Sequence, residues 1–152
     1  FPDRRTDHEG ELVAIIGKGG KNIAYENALD HVFGYTLGLD MTLRGAEDRS
    51  LRKSVDSYAV MGPWMVTADE IADPNDVRLW LDVNGEKRQD SSTSYMIFNT
   101  QKLIAYASRF YTLQPGDLIM TGTPEGVAPV VPGDTIALPV PEIGTLSIAV
   151  RA

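Results

Sequence analysis

One α+β domain, mostly β, is the fold class this sequence predicts. Three observations carry the prediction. Short apolar or alternating runs are closed by glycine and proline; an Asn-Gly dipeptide separates two strand-like runs; and only two segments show helical spacing. The 152 residues suit one domain with its own core. A composition of 43% hydrophobic and 23% charged residues is ordinary for a globular chain.

The elements follow in order. Leu12-Val13-Ala14-Ile15-Ile16, closed by Gly17-Lys18-Gly19-Gly20, reads as a buried strand. Residues 24–32 carry Tyr25, Ala28, Leu29 and Val32 at helical spacing, so a short helix is expected. Residues 33–42 read as extended, and the charged, aperiodic residues 43–57 as a long loop. Residues 78–83 and 86–89 flank Asn84-Gly85, which favours positive φ at both turn positions, so an antiparallel hairpin is predicted there. Residues 100–110 form the best helix: Leu103, Ile104, Ala107 and Phe110 share one face, and Asn99 or Thr100 can cap it. Pro115-Gly116-Asp117 and Pro132-Gly133-Asp134 are turns that feed strands at 118–121 and 135–140, and a last strand spans 145–150. Trp64 and Trp80 are expected in the core, with a partner-facing role as the alternative.

Composition excludes several classes. With no cysteine there is no disulfide, thiolate zinc site, iron–sulfur cluster or cysteine nucleophile. A net charge of −7 disfavours a nucleic-acid partner, whose phosphates demand clustered Lys and Arg. No apolar run reaches membrane-spanning length and residues 1–5 lack a signal-peptide pattern, so no membrane partner and a cytoplasmic location are expected.

Three acidic residues stand out. The two-residue period of a strand puts Glu9 and Glu11 on one face, either as a solvated strand end or as a charge pair needing a cation. Asp40 lies among large apolar neighbours, where a carboxylate caps a turn, pairs with Arg44, or ligates a metal. Together the three would offer hard oxygen ligands suited to Mg²⁺, Mn²⁺ or Ca²⁺. The charged loop holding Arg44, Glu47 and Lys53 is either solvated surface or an anion-binding fold over that pocket. Thr121-Gly122-Thr123-Pro124-Glu125-Gly126 is either a plain turn or a loop whose amides and hydroxyls meet a carboxylate. His8 lies beside the acidic pair as a possible base or supporting partner, and His31 reads as structural.

Taken in order, the segments resemble the C-terminal catalytic domain of the fumarylacetoacetate hydrolase superfamily. They are Glu9-Gly10-Glu11-Leu12 to Lys18, Gly34-Tyr35, Leu39-Asp40-Met41-Thr42-Leu43-Arg44, Lys53-Ser54, Gly62-Pro63-Trp64, Val83-Asn84-Gly85-Glu86, Arg88-Gln89, residues 113–119, 121–127 and 132–134. The resemblance implies a mixed β-sheet roll with short flanking helices and a divalent cation, Mg²⁺ or Mn²⁺, held by Glu9, Glu11 and Asp40. It further implies substrate contacts from Lys53, Arg44, Thr123 and Gly122, with Lys53, Arg44 and Glu47 counted as catalytic. Where the family often has Arg-Asp-x-Gln, this chain has Arg44-Gly45-Ala46-Glu47, a carboxylate in place of an amide donor. Many members carry a catalytic His and Glu before the Glu-x-Glu strand. Only eight residues precede Glu9, so residues 1–152 are expected to be one catalytic domain lacking an N-terminal segment.

The implied function is metal-dependent hydrolysis of a C–C bond in an acylpyruvate or fumarylpyruvate-like diketo acid of aromatic catabolism. The alternatives are an isomerase or decarboxylase of 2-hydroxy-dienedioates or oxaloacetate-type 2-oxo acids, and a non-catalytic metal-binding remnant. A homodimer is implied as well.

Overall fold

The computed structural model describes residues 3–151. Its first half holds β1 (Thr6–Asp7), β2 (Gly10–Ile16), a 3₁₀ segment (Tyr25–His31), β3 (Val32–Asp40), β4 (Thr42–Leu43), α1 (Arg49–Lys53) and β5 (Ala59–Thr67). The second half adds β6 (Arg78–Val83), β7 (Glu86–Ser92), α2 (Thr100–Phe110), β8 (Leu118–Met120), β9 (Pro129–Val130), β10 (Thr135–Val140) and β11 (Gly144–Ala149). Two four-stranded sheets, ordered β5-β3-β2-β8 and β11-β10-β6-β7, and a small β4-β1-β9 sheet are antiparallel throughout.

The apolar run of β2 lies between β3 and β8 in its sheet, and Leu12, Val13, Ala14 and Ile16 are buried. Its partner β3 aligns Gly10 with Leu39 and Glu11 with Gly38. The two large sheets share one core that includes Leu12, Leu37, Leu39, Leu81, Ile136 and Leu138. Gly10 faces the second sheet near the strand's start. A Cβ there would stand 2.9 Å from a Leu81 methyl and 3.0 Å from a Leu138 methyl. Strand alternation therefore sends position 10 into the inter-sheet core and its neighbours Glu9 and Glu11 to the opposite face.

The hairpin is as predicted. Asn84 (φ 54°) and Gly85 (φ 80°) join β6 to β7. The two Pro-Gly-Asp turns are locked alike: the Asp117 carboxylate accepts from Gln114 N–H at 2.7 Å, and Asp134 from Val131 N–H at 2.9 Å.

Elsewhere the structure corrects the local reading. Within residues 24–32, Tyr25–His31 form a 3₁₀ segment rather than an α-helix and Val32 opens β3; only Ala28 of the segment is buried, too little apolar face to sustain a longer helix. The loop 43–57 contains α1, started by Asp48 accepting from Ser50 N–H at 2.8 Å. The edge strand β5 has no signature in sequence because Gly62-Pro63 breaks its alternation; the Thr36 hydroxyl reaches across to the Trp64 carbonyl at 2.8 Å. Trp64 is 60% exposed instead of buried, whereas Trp80 is half-buried beneath Arg78 and Lys87.

Helix α2 spans the predicted residues and is capped by Asn99, which accepts from Lys102 N–H at 3.0 Å. Its buried line, however, is Thr100, Ile104 and Ser108, and Phe110 is 60% exposed. Ser108 sets this rotation: its hydroxyl oxygen accepts from Ile23 N–H and its carbonyl from Asn22 N–H, both at 2.9 Å. Among the described residues, no helix is long and apolar enough to cross a membrane.

The rotated helix face can be checked by calorimetry or denaturant unfolding. Ile104→Ala should cost roughly 2–5 kcal/mol of stability, whereas Phe110→Ala should stay within about 0.5 kcal/mol. Equal losses would place both side chains in the core.

Candidate metal centre

Three carboxylates converge where β2 begins and β3 ends. The Asp40 N–H donates to the Glu9 carbonyl at 2.9 Å, fixing the two chain ends side by side. One carboxylate oxygen from each of Glu9, Glu11 and Asp40 then lies within 4.8 Å of the others. Glu11 is buried, while Glu9 and Asp40 are half-buried. Burial pushes the Glu11 carboxyl up to about 7; the Gly122 amide, donating to it at 2.7 Å, opposes that shift, and the Asp40 charge adds to it.

Cations surround this cluster. The Lys53 ammonium, presented from the end of α1, donates to Glu9 Oε2 at 2.7 Å, to Asp40, and to the Thr42 hydroxyl at 3.0 Å. Burial pulls the Lys53 pKa down, but its hydrogen bonds to Asp40 and Glu9 outweigh this and leave it raised. Arg44 donates to Glu9 Oε1 at 3.2 Å and to Asp7 at 2.7 Å. Asp7 is buried, and Arg5 holds its other oxygen at 2.6 Å. Burial alone would raise the Asp7 pKa; hydrogen bonds from Arg5 and Arg44 bring it below the usual carboxylate range.

The remaining predicted residues divide. Gly122 touches the carboxylates through its amide, and both it and Thr123 line an adjoining cavity of about 610 Å³ with Leu12, Thr121, Met96 and Phe98. Glu47 is not brought to the three carboxylates. It is exposed and takes a two-pronged ion pair from Arg4, at 2.6 and 2.7 Å, which holds its carboxyl down to about 2. Since Arg4 also donates to the Arg44 carbonyl at 2.8 Å, Glu47 reaches the site only through the backbone of Arg44. His8 is fully buried, with Nδ1 at 3.2 Å from Gln89 Oε1, and burial lowers its pKa. It packs inside the fold instead of standing at a solvent-facing mouth. His31 is structural in its contacts, donating from Nδ1 to the Lys18 carbonyl at 2.7 Å.

Sequence reasoning missed Asp7, Thr42 and Gln89. Asp7 had a faint signal, two residues before Glu9 on the same alternation. Gln89 had none of its own, being one polar residue among many in β7.

The donor set fits a hard divalent cation. It offers carboxylate oxygens and neither sulfur nor ring nitrogen at the cluster. The Lys53 ammonium, a point charge between Glu9 and Asp40, shows that the pocket accommodates positive charge.

Comparison with known proteins places the chain among related ones. The chain is 53% identical, over 99% of its length, to maleylpyruvate hydrolase of Aquipseudomonas alcaligenes, of which it covers 52%. It is 41% identical, over 95% of its length, to a mitochondrial oxaloacetate tautomerase of Xenopus laevis, of which it covers 49%. The fold superposes with a TM-score of 0.94 on maleylpyruvate hydrolase from Sphingobium sp. SYK-6, solved with manganese(II) and pyruvate; identity is 44%, and coverage is 99% of this chain and 56% of that one. The chain thus spans about half the length of the curated relatives named here. Residues 2–151 match the fumarylacetoacetate hydrolase C-terminal region, and the chain belongs to that family.

Proposed function

We propose that the protein containing this chain is a divalent-metal-dependent hydrolase that cleaves a C–C bond in an acylpyruvate of the maleylpyruvate or fumarylpyruvate kind. The observation that carries the reading is the convergence of Glu9, Glu11 and Asp40 within 4.8 Å, in a chain 53% identical to a maleylpyruvate hydrolase. These three residues would hold Mg²⁺ or Mn²⁺. When bound, such an ion supplies Lewis-acid stabilisation of the charge that develops on a 2-oxo oxygen.

The chain's own residues do the rest. Lys53 places a second positive charge at the same oxygen, where it counts more for the developing anion than for the neutral ketone. Arg44, held in place by Asp7, offers its guanidinium to a substrate carboxylate. Gly122 and Thr123 receive a carboxylate at the cavity wall. In the hydrolysis, water adds to the distal carbonyl carbon, the C–C bond breaks, and its electron pair passes onto the 2-oxo oxygen before a proton returns to carbon. His8 is not the base that activates this water, because it is buried and held by Gln89.

A second reading is favoured by the tautomerase relative: the same pocket catalyses keto–enol exchange or decarboxylation, which need no activated water. A homodimer in the cytoplasm belongs to the proposal, the dimer supported by the exposed side chains of Phe33, Met61, Trp64 and Met65.

Turnover of acylpyruvate by the full-length protein with Mn²⁺ should yield pyruvate and a second acid; CO₂ or an isomerised acid alone would favour the second reading. Removal of the metal by a chelator should abolish turnover and its re-addition restore it. Asp40→Asn should weaken Mn²⁺ binding, read by titration calorimetry, by about 100-fold or more. Lys53→Met should lower kcat by roughly 10²–10³ with a smaller change in KM. Wild-type activity in the Asp40 variant would remove the metal site from the chemistry.

A further inference from the structure

We propose that Gln89 is a positioning residue that turns the Thr123 hydroxyl into a hydrogen-bond donor facing the cavity. The inference rests on the reading above that Thr123 meets a substrate carboxylate.

Gln89 is only 2% exposed, and its carboxamide joins two parts of the site. Oε1 accepts from Gly10 N–H at 3.1 Å, between Glu9 and Glu11. Nε2 donates to the Pro124 carbonyl at 2.9 Å, on the loop that carries Thr123. A backbone N–H can only donate and a backbone carbonyl can only accept, so these contacts fix which end of the amide is oxygen. The other Nε2 hydrogen goes to Thr123 Oγ1 at 2.8 Å.

A hydroxyl that accepts this bond keeps its own hydrogen for another partner. Among the described residues no protein acceptor takes it, and Thr123 lines the 610 Å³ cavity. The hydrogen is thereby directed at whatever anion enters. The loop cannot drift from this register. At Gly126 (φ +93°) a Cβ would lie 2.0 Å from the Arg88 carbonyl oxygen and 3.3 Å from Gln89 Cγ, so only glycine lets the loop pass so close to β7. The same amide fixes His8. Since Gln89 Oε1 can only accept, the His8 nitrogen facing it at 3.2 Å is the protonated one, leaving Nε2 bare and, in this structure, unpartnered.

The test uses the full-length protein loaded with Mn²⁺ and titrated with pyruvate. Gln89→Met and Thr123→Val should each weaken pyruvate binding roughly tenfold, as expected for one hydrogen bond to a charged group. The double variant should lose no more than either single one, because both remove the same donor. Mn²⁺ affinity should change far less than pyruvate affinity. Multiplying losses, or unaltered pyruvate binding by Gln89→Met alone, overturns the role of Gln89. Unaltered binding by Thr123→Val, or no pyruvate binding by the wild type, overturns the underlying substrate reading instead. Should Gln89→Met fail to fold, ¹⁵N NMR of His8 in the wild-type Mg²⁺ form still decides: a protonated Nδ1 and bare Nε2 are expected, and the opposite tautomer refutes the amide orientation.

Discussion

Mutual repulsion among three carboxylates is the constraint around which this fold is arranged. Two unit charges 4.8 Å apart repel by roughly 3–4 kcal/mol at an effective dielectric of about 20. Holding three such groups in a partly buried pocket requires compensation from fixed positive charge or from a bound cation. Lys53 and Arg44 provide the first kind, and the Gly122 amide directs a donor at the most buried member, Glu11. Asp7 and Arg5 extend the alternation of sign outward, so that Arg44 is itself held by an anion. The site is a network of alternating sign, four carboxylates against three cations, in which each ion constrains the next.

The backbone makes that network possible. A strand must turn every second side chain to the opposite face, and Gly10 is the residue that lets β2 serve two faces at once. On one side it admits Leu81 and Leu138 of the second sheet; on the other it leaves Glu9 and Glu11 pointing together. Stability and chemistry are therefore coupled at one residue. A side chain there would push aside the Leu81 and Leu138 methyls at the point from which two of the acids project. Gln89 adds a second tie at the same place, binding the Gly10 amide to the loop that carries Thr123.

Membership of the fumarylacetoacetate hydrolase family accounts for the order of the segments. Relatives include a hydrolase and a tautomerase of 2-oxo acids. Such reactions share the need to stabilise negative charge on an oxygen next to a carboxylate, which a divalent cation would supply if bound by such hard ligands. They differ in whether water must be activated. His8, the nearest histidine in sequence, is buried, and that burial lowers its pKa.

Much of this was legible without coordinates. Period-two alternation put Glu9 and Glu11 together, Asn84-Gly85 fixed a hairpin, and the Pro-Gly-Asp turns and the Asn99 cap bounded their elements, because each depends on interactions within a few residues. The order of family segments pointed to Asp40 and Lys53 beside that pair, where Lys53 does bridge Glu9 and Asp40. What the sequence could not determine was whatever depends on contacts between distant segments. The buried face of α2 was set by Ser108 meeting residues 22 and 23, β5 by its pairing with β3 across a proline, and Glu47 by Arg4, 43 positions away. Asp7 and Gln89 belong to the same group: a polar side chain takes its role from whichever donors and acceptors the tertiary fold brings within about 3 Å, and no local pattern records that distance.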